Sequence, residues 1–153
     1  MPEFQTRRRV RHKAADMFDL VADVERYPQF VPLCSGMKLR SRTQEPDGTV
    51  VITADMAVAY NLIRETFRSR ARLDREHLRI LVTYLDGPFS RMENRWEFVP
   101  VEDKLCDVKF FISYEFKSRM LAILMGAMFD TAFRRFAVAF EKRADQVYGR
   151  AQS

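Results

Sequence analysis

The chain has 153 residues, 47% of them apolar and 31% charged, proportions of a globular domain that exclude a disordered, collagen-like or disulfide-framework protein. Its 26 Lys and Arg against 21 Asp and Glu leave a net charge of +5, which favours anionic partners such as RNA or phospholipid headgroups. Thirteen Phe and eight Met against a single Trp supply side chains that fill irregular apolar space, as a core built around a cavity requires.

Residues 3–11 alternate only in part, with Phe4, Thr6, Arg8 and Val10 against Glu3, Gln5, Arg7, Arg9 and Arg11, and read as a basic edge strand. No apolar run follows the charges of the amino terminus, so no secretory signal is expected and the location is expected to be cytoplasmic. Met17, Leu20, Val21 and Val24 recur at helical spacing over Ala14–Val24, and Pro28 and Pro32 stop a long helix. The stretch Tyr27 to Cys34 then reads as an irregular apolar segment, either a cover over the core or the rim of a pocket. From Met37 the period is two, and Glu45-Pro46-Asp47-Gly48 supplies a hairpin turn.

The next strand sets Val50, Ile52, Ala54, Met56, Val58, Tyr60 and Leu62 on one face. After it, Ile63, Phe67, Ala71 and Leu73 oppose Arg64, Thr66, Arg68, Arg70 and Arg72. Leu78, Ile80, Val82 and Tyr84 form another inward set, Asp86-Gly87-Pro88 breaks the chain, and Leu85–Phe89 offers a second rim. Met92, Trp96 and Phe98 follow, then the cleanest alternation, Cys106, Val108, Phe110, Ile112, Tyr114 and Phe116. From about Arg119 to Tyr148 a proline-free run predicts one helix roughly 43 Å long at 1.5 Å per residue, with Leu121, Met125, Met128, Phe129, Ala132, Phe136, Phe140 and Val147 facing the core. The pattern predicts an α+β domain over residues 1–150, a curved antiparallel sheet of six or seven strands closing on a long carboxy-terminal helix. Such an arrangement leaves apolar space between the layers.

Signatures of catalysis are missing: there is no GxSxG, GxxxxGK[ST] or GxGxxG, and His12 and His77 are not spaced as metal ligands. No catalytic residue and no metal are therefore expected, and Cys34 and Cys106 read as free thiols. Two polar residues, Glu65 and Asn94, fall on apolar strand faces. They mark a strand end, a bulge or a local ion pair, or else line a cavity and hold the polar end of a ligand. Lys38, Arg40 and Arg42 in one strand and Arg64, Arg68, Arg70 and Arg72 in another form stripes without interspersed acids, either solvated or in contact with phosphate. Aromatics for base stacking are not interleaved with them. Met120 to Phe129 is apolar nearly all round, about half of the roughly 20 residues that span a bilayer, so no transmembrane helix is expected. A ligand tail, a membrane surface or a second subunit is expected to cover it.

With YPQFVPLC (27–34), ETFRSRARLD (65–74), LDGPFSRMENRWEF (85–98), CDVKFFISYEFKS (106–118) and the long terminal helix, the chain resembles the coenzyme Q-binding, START-like family. That family lies within the polyketide cyclase/dehydrase and lipid-transport superfamily and also includes a bacterial ribosome-association toxin. The resemblance implies a helix-grip fold whose cavity binds ubiquinone or a related isoprenoid lipid, carried in support of respiratory electron transport or quinone biosynthesis. It implies no chemistry of the protein's own and no cofactor beyond ubiquinone as bound ligand. The resemblance marks Tyr27, Pro28, Phe30, Val31, Pro32, Phe89 and Trp96 as pocket or rim positions. Glu65, Asn94, Phe110, Tyr114, Leu124 and Met128 complete the ligand-contact candidates. A long polyprenyl tail would protrude past Met120–Phe129 and bring this end of the helix to the inner membrane surface. The alternative within the same family is binding of the large ribosomal subunit through the basic stripes. A cyclase or dehydratase would need an acid or base among Glu65, Asn94 and Tyr114.

Overall fold

A computed structural model of the chain describes residues 3–149; both ends of the expected 1–150 domain lie outside the described residues. The strands are β1 (Glu3–Val10), β2 (Cys34–Gln44), β3 (Val50–Tyr60), β4 (Ile63–Asp74), β5 (Arg79–Asp86), β6 (Phe89–Glu102) and β7 (Leu105–Phe116). They form one antiparallel sheet in the order β1-β7-β6-β5-β4-β3-β2, so the basic first strand is an edge, as its partial alternation suggests. Helix α1 (Ala14–Ala22) ends at Asp23. A 3-10 helix, Val24–Gln29, follows and takes Pro28 inside it, more regular than the irregular segment expected there.

Helix α2 (Arg119–Tyr148) starts where the Ser118 hydroxyl accepts a bond from the Leu121 amide at 3.2 Å and stops at Gly149, whose φ of 75° a residue with a side chain adopts poorly. Met125, Phe129, Ala132, Phe133, Phe140 and Ala144 are buried beneath it. Phe133, which the helical spacing left off the core face, is inside, whereas Val147 is about half exposed because the helix end passes the edge of the sheet. Tyr60 and Leu62 also depart from expectation. The β3–β4 connection turns at Asn61, in the left-handed region at φ 54°, and this lifts Leu62 out to 98% exposure.

The helix does not lie centrally. Its closest strands are β7 and β1, where Phe110, Tyr114 and Phe116 meet Phe136, Phe133 and Phe129 with ring centres 5.1–6.0 Å apart. The other half of the sheet, β2 to β5, curls over more distantly and meets it through Phe67 of β4, whose ring centre lies 6.4 Å from that of Phe129.

Candidate functional site

The gap between α2 and the curled half of the sheet is a cavity, with about 90 Å³ open to the centre of a water molecule. One water needs about 10–15 Å³ of such space, so the cavity takes several atoms of a ligand but would have to widen for a long chain. Its cause is local. On the concave face Ala54 of β3 sits directly opposite Ser69 of β4, and Ile52 opposite Ala71, so two adjacent strands present small side chains toward the cavity. Ala132 of α2 faces the same space. None of these small residues stood out in the sequence, because alternation reports which face a residue takes and not how far the facing layer is.

Of the candidates named from sequence, Tyr27, Pro32, Phe89, Asn94 and Trp96 line this cavity together. Pro28, Phe30, Val31, Glu65, Phe110, Tyr114, Leu124 and Met128 do not. Phe110 and Tyr114 belong to β7, under the helix, and are sealed among rings: Phe110 against Trp96 at 4.8 Å and Tyr114 against Phe133 at 5.1 Å. Leu124 points away from the sheet and is 60% exposed. Met128 is half-buried against the core, and Val31 is buried behind the lining. Phe30 stacks edge-on with Phe140 at 5.1 Å and lies under the Arg143 guanidinium, while Pro28 is exposed. Glu65 takes the concave face but stops short of the cavity, near Tyr84 at the sheet end.

The polar inventory of the lining is short. Asn94 donates from Nδ2 to the Phe111 carbonyl at 2.9 Å and accepts at Oδ1 from Trp96 Nε1 at 3.0 Å. One N–H and one lone pair of its amide stay uncommitted. Tyr27 donates its hydroxyl to the Val21 carbonyl, and burial holds its phenol far above the ordinary value. Ser69 has no partner among the described residues and is the uncommitted hydroxyl of the lining. Among the described residues no Asp, Glu, Lys, Arg or His lines the cavity. The two thiols are free, buried and outside it, and burial pushes both up to about 11, so they stay protonated at neutral pH.

At one end the cavity is closed by rings. Phe89 lies 5.9 Å from Phe67, 5.5 Å from Phe129 and 5.0 Å from Phe116. The β5–β6 turn is drawn tightly onto this plug: Gly87 has φ 145°, and a Cβ there would fall 2.5 Å from that of Phe67. The Phe89 amide donates to the Tyr84 hydroxyl at 3.0 Å, fixing the turn from the other side.

The basic stripes change character in three dimensions. Asp55 of β3 lies between them and accepts from Arg40 Nε at 2.7 Å and from Arg68 Nε at 2.8 Å, which holds its carboxyl at about 2. Arg72 donates to Thr49 at 2.9 Å. Acids are therefore interspersed, supplied by the neighbouring strand. Arg42 leaves the stripe altogether: Leu39 pairs with Ala54 but Ser41 with Thr53, so Arg40 is an extra residue and every later side chain of β2 changes face. Arg42 then stands in a cleft beside Asp19, Asp23 and Glu25. Lys38 and Arg70 remain on the outer face without an ion pair among the described residues, and Arg64 bonds only to the carbonyls of Asn61 and Ile63. At the far edge Asp107 is likewise held at about 2 by Arg9 and Arg7.

Known proteins share this architecture of an antiparallel sheet gripping one long helix. The model of the family described as polyketide cyclase / dehydrase and lipid transport matches residues 10–141. The chain belongs to this family. It is 31% identical over 148 residues to the ribosome association toxin RatA of Escherichia coli, covering 97% of this chain and 90% of that one. It is also 31% identical over 140 residues to the mitochondrial coenzyme Q-binding protein COQ10 homolog B of Xenopus laevis, covering 89% of this chain and 55% of that one. Among solved structures, the 18 kDa protein CC1736 of Caulobacter crescentus is 33% identical with a TM-score of 0.77, covering 97% and 99% of the two chains. A START superfamily protein of Mycobacterium smegmatis, 20% identical, matches with a TM-score of 0.77 over 95% and 98% and shares the helix-grip fold. The family spans cyclases and dehydrases as well as lipid carriers. Among the described residues no helix is long and apolar enough to cross a membrane.

Proposed function

We propose that the chain is a non-catalytic carrier that holds ubiquinone or a related neutral isoprenoid lipid in the cavity between α2 and the curled half of the sheet. The observation that carries this reading is the lining itself: mostly apolar and, among the described residues, free of charged side chains, with the Ser69 hydroxyl and part of the Asn94 amide left to meet a ligand. A fatty acid or a phosphate ester would bring an ionised group into a site with nothing to neutralise it, which strongly disfavours both. A quinone ring has neutral carbonyl oxygens that accept from a hydroxyl and an amide, and its isoprene units gain roughly 25 cal/mol for each Å² of apolar surface buried. Similarity to a relative named for coenzyme Q binding supports the same reading. Acid–base catalysis fits poorly, since Glu65 and Tyr114 lie outside the cavity and Asn94 does not titrate. The test is organic extraction of protein purified without detergent from a quinone-producing host, with mass spectrometry of the extract. Stoichiometric quinone, reduced in Ser69→Leu, is expected; an empty extract from well-folded wild type overturns the proposal.

A second reading follows from the near full-length similarity to the ribosome association toxin. The outer sheet face, with Lys38 and Arg70 unpaired, would then contact the large ribosomal subunit. Co-sedimentation that weakens steeply with salt, and weakens further in Lys38→Glu/Arg70→Glu, would favour it.

A further inference from the structure

Exposed apolar side chains are concentrated at one place. Among the described residues ten large hydrophobics are exposed, and six of them, Tyr60, Leu62, Leu85, Met120, Ile123 and Leu124, gather at the sheet end where β3, β5 and β7 finish and α2 begins. Leu62 is 98% exposed at a hairpin tip, and Ile123, Met120 and Leu124 are 74%, 70% and 60% exposed on the first turns of the helix. Single exposed leucines need no explanation, but a clustered apolar patch does.

Basic residues flank the most exposed of these side chains. Arg64, Lys117 and Arg119 are exposed, and none has an acid partner among the described residues; α2 has no acid in its first turn. Three acids also lie at this end, of which Asp86 and Glu115 are exposed. Asp86 stands across from Arg68 in the β4–β5 pairing, Glu115 across from Arg91 in the β6–β7 pairing, and Glu65 takes the concave face, half-buried. Apolar side chains that project from a hairpin and a helix start, with unpaired cations beside them in Arg64, Lys117 and Arg119, match an anionic bilayer: the apolar groups enter the acyl boundary while the cations meet phosphates. The plug of Phe67, Phe89, Phe116 and Phe129 lies at this same end, and Phe67, Phe89 and Phe129 of it line the cavity.

We infer that the β3–β4 tip and the first two turns of α2 form a two-point docking surface for an anionic lipid bilayer, with Leu62, Met120 and Ile123 inserting and Arg64, Lys117 and Arg119 binding headgroup phosphates. This rests on the lipid-carrier reading for its purpose, and it places the route of ligand entry at the phenylalanine plug. The test is sedimentation of the full-length protein with unilamellar vesicles of phosphatidylglycerol or of phosphatidylcholine. Pelleting with the first and not the second is expected at low salt. Leu62→Glu/Ile123→Glu and, separately, Arg64→Ala/Arg119→Ala should each weaken it by roughly tenfold or more. These side chains are exposed, so an unchanged thermal midpoint and unchanged extracted ligand would show that fold and cavity are intact. Absence of vesicle binding by wild type, or binding retained in Leu62→Glu/Ile123→Glu, overturns the inference, and extracted ligand independently tests the carrier reading. A wild-type dimer that Leu62→Glu/Ile123→Glu makes monomeric would also overturn it, by giving the patch to a second copy.

Discussion

The two halves of the sheet face the same helix and treat it differently. Beneath β7 and β1 the contact is ring on ring, with Phe110, Tyr114 and Phe116 packed against α2. Beneath β3 and β4 the facing positions include the small residues Ala54, Ser69 and Ala71, and a cavity remains. Volume on the concave face, not its polarity, separates the half that holds the fold together from the half available to a ligand.

The strongest way to break this comparison is to exchange the roles. Phe110→Ala, in the packed half, should lower stability by about 3–5 kcal/mol, read as a shift of the urea midpoint, because neighbouring rings cannot collapse into the space. Ala71→Leu, in the open half, should change stability by no more than about 1 kcal/mol while abolishing co-purified ligand, since the added side chain enters existing space. Equal effects on stability from the two changes would show that the halves are packed alike.

A smaller effect sharpens the picture of the outer face. The Asp55 and Asp107 carboxyls, held at about 2 by their paired arginines, ionise well below the usual value near 4. Their depressed values mean that the stability they contribute is complete above that usual value and is lost as the pH falls from about 4 to about 2. Urea midpoints across this window should decline less steeply in Asp55→Asn and Asp107→Asn than in wild type. Smallest of all, Lys38→Gln should leave the thermal midpoint within experimental error, as the side chain is exposed and makes no ion pair among the described residues.

The strands were legible because alternation is a property of neighbours in sequence: Cys106 to Phe116 points inward at every second residue and does so in the fold. The helix was legible for the same reason, from Arg119 to Tyr148. What alternation does not encode is lateral placement. Tyr114 and Phe110 share the concave face with Ala54 and Ser69, yet only the latter pair meets the cavity: the Phe110 and Tyr114 rings are taken up by Phe136 and Phe133 of α2, while Ile112 between them lines it. Nor does it encode strand register, which brings Asp55 between two arginine-bearing strands and gives the stripes their counter-charge. Asn94 could be singled out as a polar residue on an apolar face; Ser69, small and ordinary in a strand, could not.

The extra residue in β2 has a consequence for how this chain can vary in length. A deletion inside a regular strand transfers every following side chain to the opposite face and exposes a core. Arg40 has no counterpart in β3, so its loss would leave Leu39 with Ala54 and Ser41 with Thr53, each pair as before. β2 thus contains a point at which one codon can be removed without turning the rest of the strand inside out, and what would be forfeited is the bond from Arg40 to Asp55.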